Sequence, residues 1–212
     1  MSNSEQNRIC LIAGLGNPGD KYNGTRHNVG FDAVTALLEN LPGSFEQKTG
    51  FNSIYWKGRF KGHRLILQKP MTFMNLSGEA VSGLAEAKKI LPSEMMLIYD
   101  DMDLPLGRIR IRKTGSSAGH RGAESVIEHL HTEAFPRIRI GIGRKSREDH
   151  LDHVLSKFHQ DEQDRYERVI KTIVDAVLLG LSRGIDEAMN RYNGLSLAEA
   201  AEKNIAGNTP GS

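Results

Sequence analysis

The sequence predicts a mixed α/β fold in a single domain, and three observations predict it. Two short apolar runs, ICLIA (9–13) and MMLIY (95–99), have the length and composition of buried strands, and each empties into a polar loop. The segment after the first of these loops, VGFDAVTALLENL (29–41), places apolar side chains at i, i+4 and i+8, the spacing of one helix face. RIRIRK (108–113) and RIRIGIG (137–143) alternate strictly, as strands with one buried face do. A chain of 212 residues suits one domain and can bury roughly 70% of its unfolded surface.

In chain order, the first strand leads through GLGNPGDKYNGTRHN (14–28) to the first helix, which LPG (41–43) closes. FNSIYWK and HRLILQ read as two strands joined by a glycine-containing turn around GRFKG. The loop KPMTFMNLSG follows, then a helix from about Glu79 to Leu91, with Ser77 as its cap and Pro92 just past its end. MMLIY empties into the acidic loop DDMDLPLG. In RIRIRK, Ile109 and Ile111 face a core, while Arg108, Arg110 and Arg112 form a basic row; in RIRIGIG, Arg137 and Arg139 point outward in the same way. TGSSAGHRG opens the helix AESVIEHLH between those strands. From 161 to 183, Ile170, Ile173, Val174, Val177, Leu178 and Leu181 form a helical stripe that packs on the sheet. IDEAMNRY adds a short helix, and NIAGNTPGS is a frayed end. The catalytic-type domain is accordingly set at 1–195 and a C-terminal tail at 196–212.

The totals exclude some classes. No apolar run approaches the ~20 residues that span a bilayer, so no membrane partner is expected, and MSNSEQNR is too polar for a secretory signal. Cys10 is the only cysteine and sits in an apolar run, which leaves no internal disulfide, fits a reducing cytoplasm and makes a poor thiol nucleophile. A net charge of +2 is too small to announce a nucleic-acid partner, but the arginine rows concentrate positive charge.

Several motifs invite a chemical reading. GLGNPG matches the dinucleotide fingerprint, yet Pro18 and the loop to Asn28 intervene before any helix whose N-terminus could hold a pyrophosphate. GSSAG (115–119) matches the nucleophile elbow with Ser117 as nucleophile, although the amphipathic strand before it is unlike the buried strand of such elbows. The pairs His129/His131 and His150/His153 lack the cysteines or spaced carboxylates of a zinc site. What remains is His27, one of Asp100, Asp101 and Asp103, and the amides Asn17 and Asn75, all at places where strands end or helices begin. If the two apolar strands are parallel neighbours, His27 and Asp100 come from the same edge of the sheet, where ligands bind in open α/β folds. A carboxylate holds an imidazole in one tautomer and stabilises its charged form, as a general base acting on water requires, and amides can donate to a developing oxyanion. The plain alternative is a solvated turn with a capping aspartate.

Five blocks in order, GLGNPGDKYNGTRHNVGF, KPMTFMNLSG, DDMDLPLG, GHRG and RIRIGIG, resemble the bacterial peptidyl-tRNA hydrolase family over nearly everything from Ile9 to Tyr192. The resemblance implies a single α/β domain with a twisted mixed β-sheet flanked by helices. It implies a cytoplasmic monomer that cleaves the ester between peptide and tRNA without metal or cofactor. By the same resemblance His27 is the general base and Asp100 its orienting partner. Asn17 and Asn75 position peptide and water, with Tyr22 and Met74 as pocket neighbours, and Arg112 and Arg139 grip tRNA phosphate. One position departs: where the family commonly has an amide after the loop histidine, this chain has Arg121, a substrate-side residue that is bulkier and always charged.

Overall fold

In the computed structural model, which describes residues 8–143 and 150–195, the apolar runs form the middle of one seven-stranded mixed sheet. The strands are β1 (Leu11–Gly14), β2 (Glu46–Gly50), β3 (Ser53–Phe60), β4 (His63–Pro70), β5 (Met95–Asp101), β6 (Ile109–Arg112) and β7 (Arg137–Gly141), in the order β2-β3-β4-β1-β5-β7-β6. β1 lies between β4 and β5 and is parallel to both, and β7 runs parallel to β5. The two edges are antiparallel, β2 and β3 at one and β6 at the other. The helices are α1 (Val29–Asn40), α2 (Ser77–Ala87), α3 (Arg121–Leu130), α4 (His150–Leu155), α5 (Gln163–Arg183) and α6 (Ile185–Tyr192).

Alternation along the central strands builds two cores. Leu11, Ala13 and Leu15, with Met95, Leu97 and Tyr99, face Val81 and Leu84 of α2 and Ala123 and Val126 of α3. Ile12, Met96 and Ile98 face Val34 and Leu37 of α1, with Ile173 and Val177 of α5 beyond. The result is a three-layer sandwich in which β1 and β5 are wholly buried. Gly30 lets the first turn of α1 lie on those strands: a Cβ there would come within 2.5 Å of the Ile98 carbonyl oxygen.

Several expectations change at the level of elements. The hairpin turn is only Lys61-Gly62, both at positive φ, so GRF continues β3. β2, EQKTG, has no apolar pattern and owes its existence to pairing with β3 at a sheet edge. α2 spans Ser77–Ala87 in place of the expected 79–91, and Ser77 is its first residue, with its hydroxyl donating to the Met74 carbonyl at 2.8 Å. Asp100 and Asp101 belong to β5 itself. Arg137 does not point outward: it is buried over the Phe135 ring and its guanidinium donates to the carbonyls of Phe135, Ser116 and Glu133. β7 is an interior strand covered on both faces, so alternation there does not separate core from solvent. The expected tail, 196–212, lies outside the described residues. No helix among those residues is long and apolar enough to cross a membrane.

Candidate active site

The loop after β1 crosses the carboxyl end of the sheet and is held down along its length. Asn28 clamps Asn17, its Oδ1 accepting from the Asn17 backbone N–H at 2.9 Å and its Nδ2 donating to the Asn17 carbonyl at 3.0 Å. Arg26 is buried; it donates to the Ile142 carbonyl at 3.0 Å, pairs with Glu162 and lies over the Phe158 ring. Between these two anchors, the 3-10 turn Arg26–Asn28 has one ring to present, His27.

That ring meets the end of β5. His27 Nδ1 lies 2.8 Å from Asp100 Oδ1, and His120 Nε2 lies 2.9 Å from the same oxygen. The two imidazoles reach Asp100 from opposite layers, His27 from the loop before α1 and His120 from the N-cap of α3. The bonds assign tautomers. His120 Nδ1 accepts the Ala123 backbone N–H at 3.1 Å, so its proton is on Nε2 and is donated to Asp100. His27 donates from Nδ1, which leaves its Nε2 as a lone pair with no protein partner among the described residues. Gly122 keeps this end of α3 close: a Cβ there would lie 2.9 Å from Leu15 Cδ1 and 3.0 Å from His120 Cε1, and nearer still to Met74 Sδ.

The charges follow from burial and from those bonds. Asp100 is only 2% exposed, and burial alone would raise its carboxyl pKa; the two imidazoles outweigh that and hold it far below the usual carboxylate range. For His27, burial pushes the imidazole pKa down. The Asp100 charge and hydrogen bond push it up by more, and Arg121 takes part of that back, so the net shift is upward.

The group opens into a cleft of about 680 Å³ at the carboxyl edge of the sheet. Asn17, Tyr22, His27, Met74, Asn75 and Arg121 line it together. Asn17 Oδ1 accepts the Met74 backbone N–H at 2.8 Å, so the amide NH₂ is the end left for a ligand.

A family model for peptidyl-tRNA hydrolase matches residues 11–202. The chain belongs to the peptidyl-tRNA hydrolase family. Relatives include the peptidyl-tRNA hydrolase of Thermoanaerobacter sp., 48% identical over 186 residues that cover 88% of this chain and 100% of the relative. That of Synechococcus sp. is 46% identical over 197 residues, covering 92% and 87%. The crystal structure of peptidyl-tRNA hydrolase from Acinetobacter baumannii matches with a TM-score of 0.85 at 34% identity, over 92% of this chain and 99% of that one. The single α/β domain expected of the family is the fold described above.

The remaining candidates divide. Arg112 is exposed on β6 and two residues along from Arg110 on the same face. Arg139 reaches the cleft but is engaged, its Nε 2.6 Å from Asp101 Oδ2. Asp101 therefore serves Arg139 rather than His27. Ser117 lines the cleft without a base: its nearest histidine in sequence, His120, has both ring nitrogens committed. His129 Nδ1 is bonded to the Ser125 carbonyl and His153 Nε2 to that of Gly143, while the His150 side chain lies outside the described residues. Among the described residues, His27, Asp100 and His120 are the cluster with ligand atoms close enough for a cation, all within 4.8 Å, but a metal there has to displace both hydrogen bonds to Asp100.

Sequence reasoning missed His120. A signal was present: a histidine immediately before a helix, three residues ahead of a backbone N–H it could cap.

Proposed function

We propose that this chain hydrolyses peptidyl-tRNA at the ester joining the peptide to the 3′ ribose, releasing tRNA for reuse, with His27 as general base. The observation that supports this best is an imidazole held through Nδ1 by a buried carboxylate, with its Nε2 unpartnered among the described residues and lining an open cleft.

In this reading, His27 Nε2 takes a proton from water as the water oxygen bonds to the ester carbonyl carbon. Asp100 stabilises the imidazolium, and His120, donating to the same oxygen, keeps that carboxylate in place and ionised. The Asn17 NH₂ donates to the carbonyl oxygen as it becomes negative, and Asn75, exposed in the cleft wall, positions the peptide and the attacking water. When the carbon–oxygen bond to the ribose breaks, the imidazolium returns its proton to the 3′ oxygen. Tyr22 and Met74 contact the acyl part, Arg121 contacts the substrate at the rim, and Arg112 and Arg139 contact tRNA phosphate. The protein acts as a monomer in the cytoplasm and needs no cofactor for these steps.

Incubation with peptidyl-tRNA tests the proposal. Hydrolysis releases free tRNA and peptide with a rate proportional to enzyme. A protein that shifts the tRNA on a gel but leaves the ester intact is an RNA-binding module on the same scaffold, and the catalytic reading fails.

A further inference from the structure

Among the described residues two guanidiniums line the cleft, and only one of them makes an ion pair. Arg139 is anchored through its Nε to Asp101 at 2.6 Å. Arg121, the first residue of α3, is exposed and makes no ion pair or hydrogen bond within the described residues. The buried carboxylates that could neutralise it are already occupied, Asp100 by two imidazoles and Asp101 by Arg139. A guanidinium in the wall of a substrate cleft, with no partner among the described residues, is a site for an anion that arrives with the substrate.

Two anions lie close to the ester of a peptidyl-tRNA: the oxygen that becomes negative at the ester itself, and the phosphate on the 5′ side of the terminal nucleoside. Exposure decides between them. An oxyanion donor has to sit against the reacting carbonyl, deep in the cleft, and Asn17 is the buried donor there. Arg121 stands at the rim, one residue along the chain from His120, whose ring centroid is 5.1 Å from that of His27. A phosphate one ribose away from the ester lies at such a rim when the ester is at His27.

We propose that Arg121 is a phosphate grip that holds the phosphodiester 5′ to the terminal nucleoside and so fixes the ester over His27; this rests on the hydrolase reading above. The grip has an electrostatic consequence. The positive charge of Arg121 opposes protonation of His27, against the pull of Asp100. A phosphate seated on Arg121 cancels that opposition, so the base is stronger with substrate in place than without it.

The test compares wild type, Arg121→Gln and Arg121→Lys on three substrates: peptidyl-tRNA, the N-acyl-aminoacyl ester of adenosine 5′-monophosphate, and the same ester of adenosine without phosphate. Arg121→Gln is expected to lower kcat/KM by roughly 10- to 100-fold on the two phosphate-bearing substrates, the loss for one charge-assisted contact, and less than about twofold on the third. Arg121→Lys retains part of the preference. The acid limb of kcat/KM, which reports the free enzyme, moves to higher pH in Arg121→Gln and stays near the wild-type position in Arg121→Lys, which keeps the charge beside His27. Equal losses on all three substrates, or no loss on any, overturn the grip while leaving the hydrolase reading intact. Wild-type protein that cleaves none of the three overturns the hydrolase reading, and the grip with it.

Discussion

Replacing Asp100 by Asn isolates the charge at the centre of the site while keeping its shape. In the wild type, Oδ1 accepts from His27 Nδ1 at 2.8 Å and from His120 Nε2 at 2.9 Å. His120 is fixed as a donor there because its Nδ1 is used by the Ala123 N–H, so an asparagine is steered to turn its oxygen toward both rings. The tautomers survive and the charge is lost. A hydrogen bond to a charged group is worth about 1.5–3 kcal/mol, so kcat falls by roughly 10- to 150-fold. An amide that flips instead presents its NH₂ to His27 and favours the wrong tautomer, which raises the loss toward about 10⁴-fold. The pH profile carries the sharper information. Asp100 is what lifts His27 above the ordinary imidazole value of about 6.5; without it, burial and Arg121 both push downward. The acid limb of the pH–rate profile, measured by release of tRNA from peptidyl-tRNA between pH 5 and 9, therefore moves from above about 6.5 to below it. A rate loss with an unmoved limb, or a limb shifted upward, would refute the assignment of Asp100 as partner of the base.

Other perturbations test the frame around the site. The stability gap between wild type and Asp100→Asn, measured in urea, widens as pH falls from 8 to 5. The raised His27 contributes stability that is fully present below the unfolded imidazole pKa and lost as pH rises through the folded one, and the variant has no counter-ion for a charged His27. Gly30→Ala drives a methyl into the Leu15 and Ile98 backbone and should cost about 3 kcal/mol or more in the same melts; a loss under about 1 kcal/mol would show that α1 can slide off the sheet cheaply. Arg112→Glu should weaken tRNA substrates in a salt-dependent way and spare a minimal peptidyl-nucleoside, whereas equal loss on both would make Arg112 structural. Ser117→Ala should leave turnover within about twofold, and labelling of the protein by a fluorophosphonate would revive the serine reading.

Much of this fold was legible because the two central strands bury both faces and the edge strand β6 buries one. ICLIA and MMLIY are apolar throughout, and IRIR shows buried and exposed residues in strict turn. What the pattern could not carry were tertiary effects. EQKTG is a strand only because β3 offers it a ladder, and Arg137 is buried only because carbonyls and the Phe135 ring replace its water. The site was legible in part for the same kind of reason. His27 and Asp100 lie 73 residues apart, and parallel pairing of β1 with β5 brings their loops to one edge, which two apolar runs of strand length already suggested. His120 carries a capping signal in its own segment but nothing there that points to Asp100. Its place beside Asp100 depends on the packing of α3 against Leu15 and Met74, a contact between segments more than 40 residues apart in sequence.

The most direct measurement is single-turnover cleavage of peptidyl-tRNA by wild type and His27→Ala at saturating enzyme, with tRNA affinity determined in parallel. Loss of the base should slow cleavage by roughly 10²- to 10⁴-fold while affinity stays within about twofold. Cleavage at the wild-type rate by His27→Ala would contradict the central claim that this imidazole activates the water.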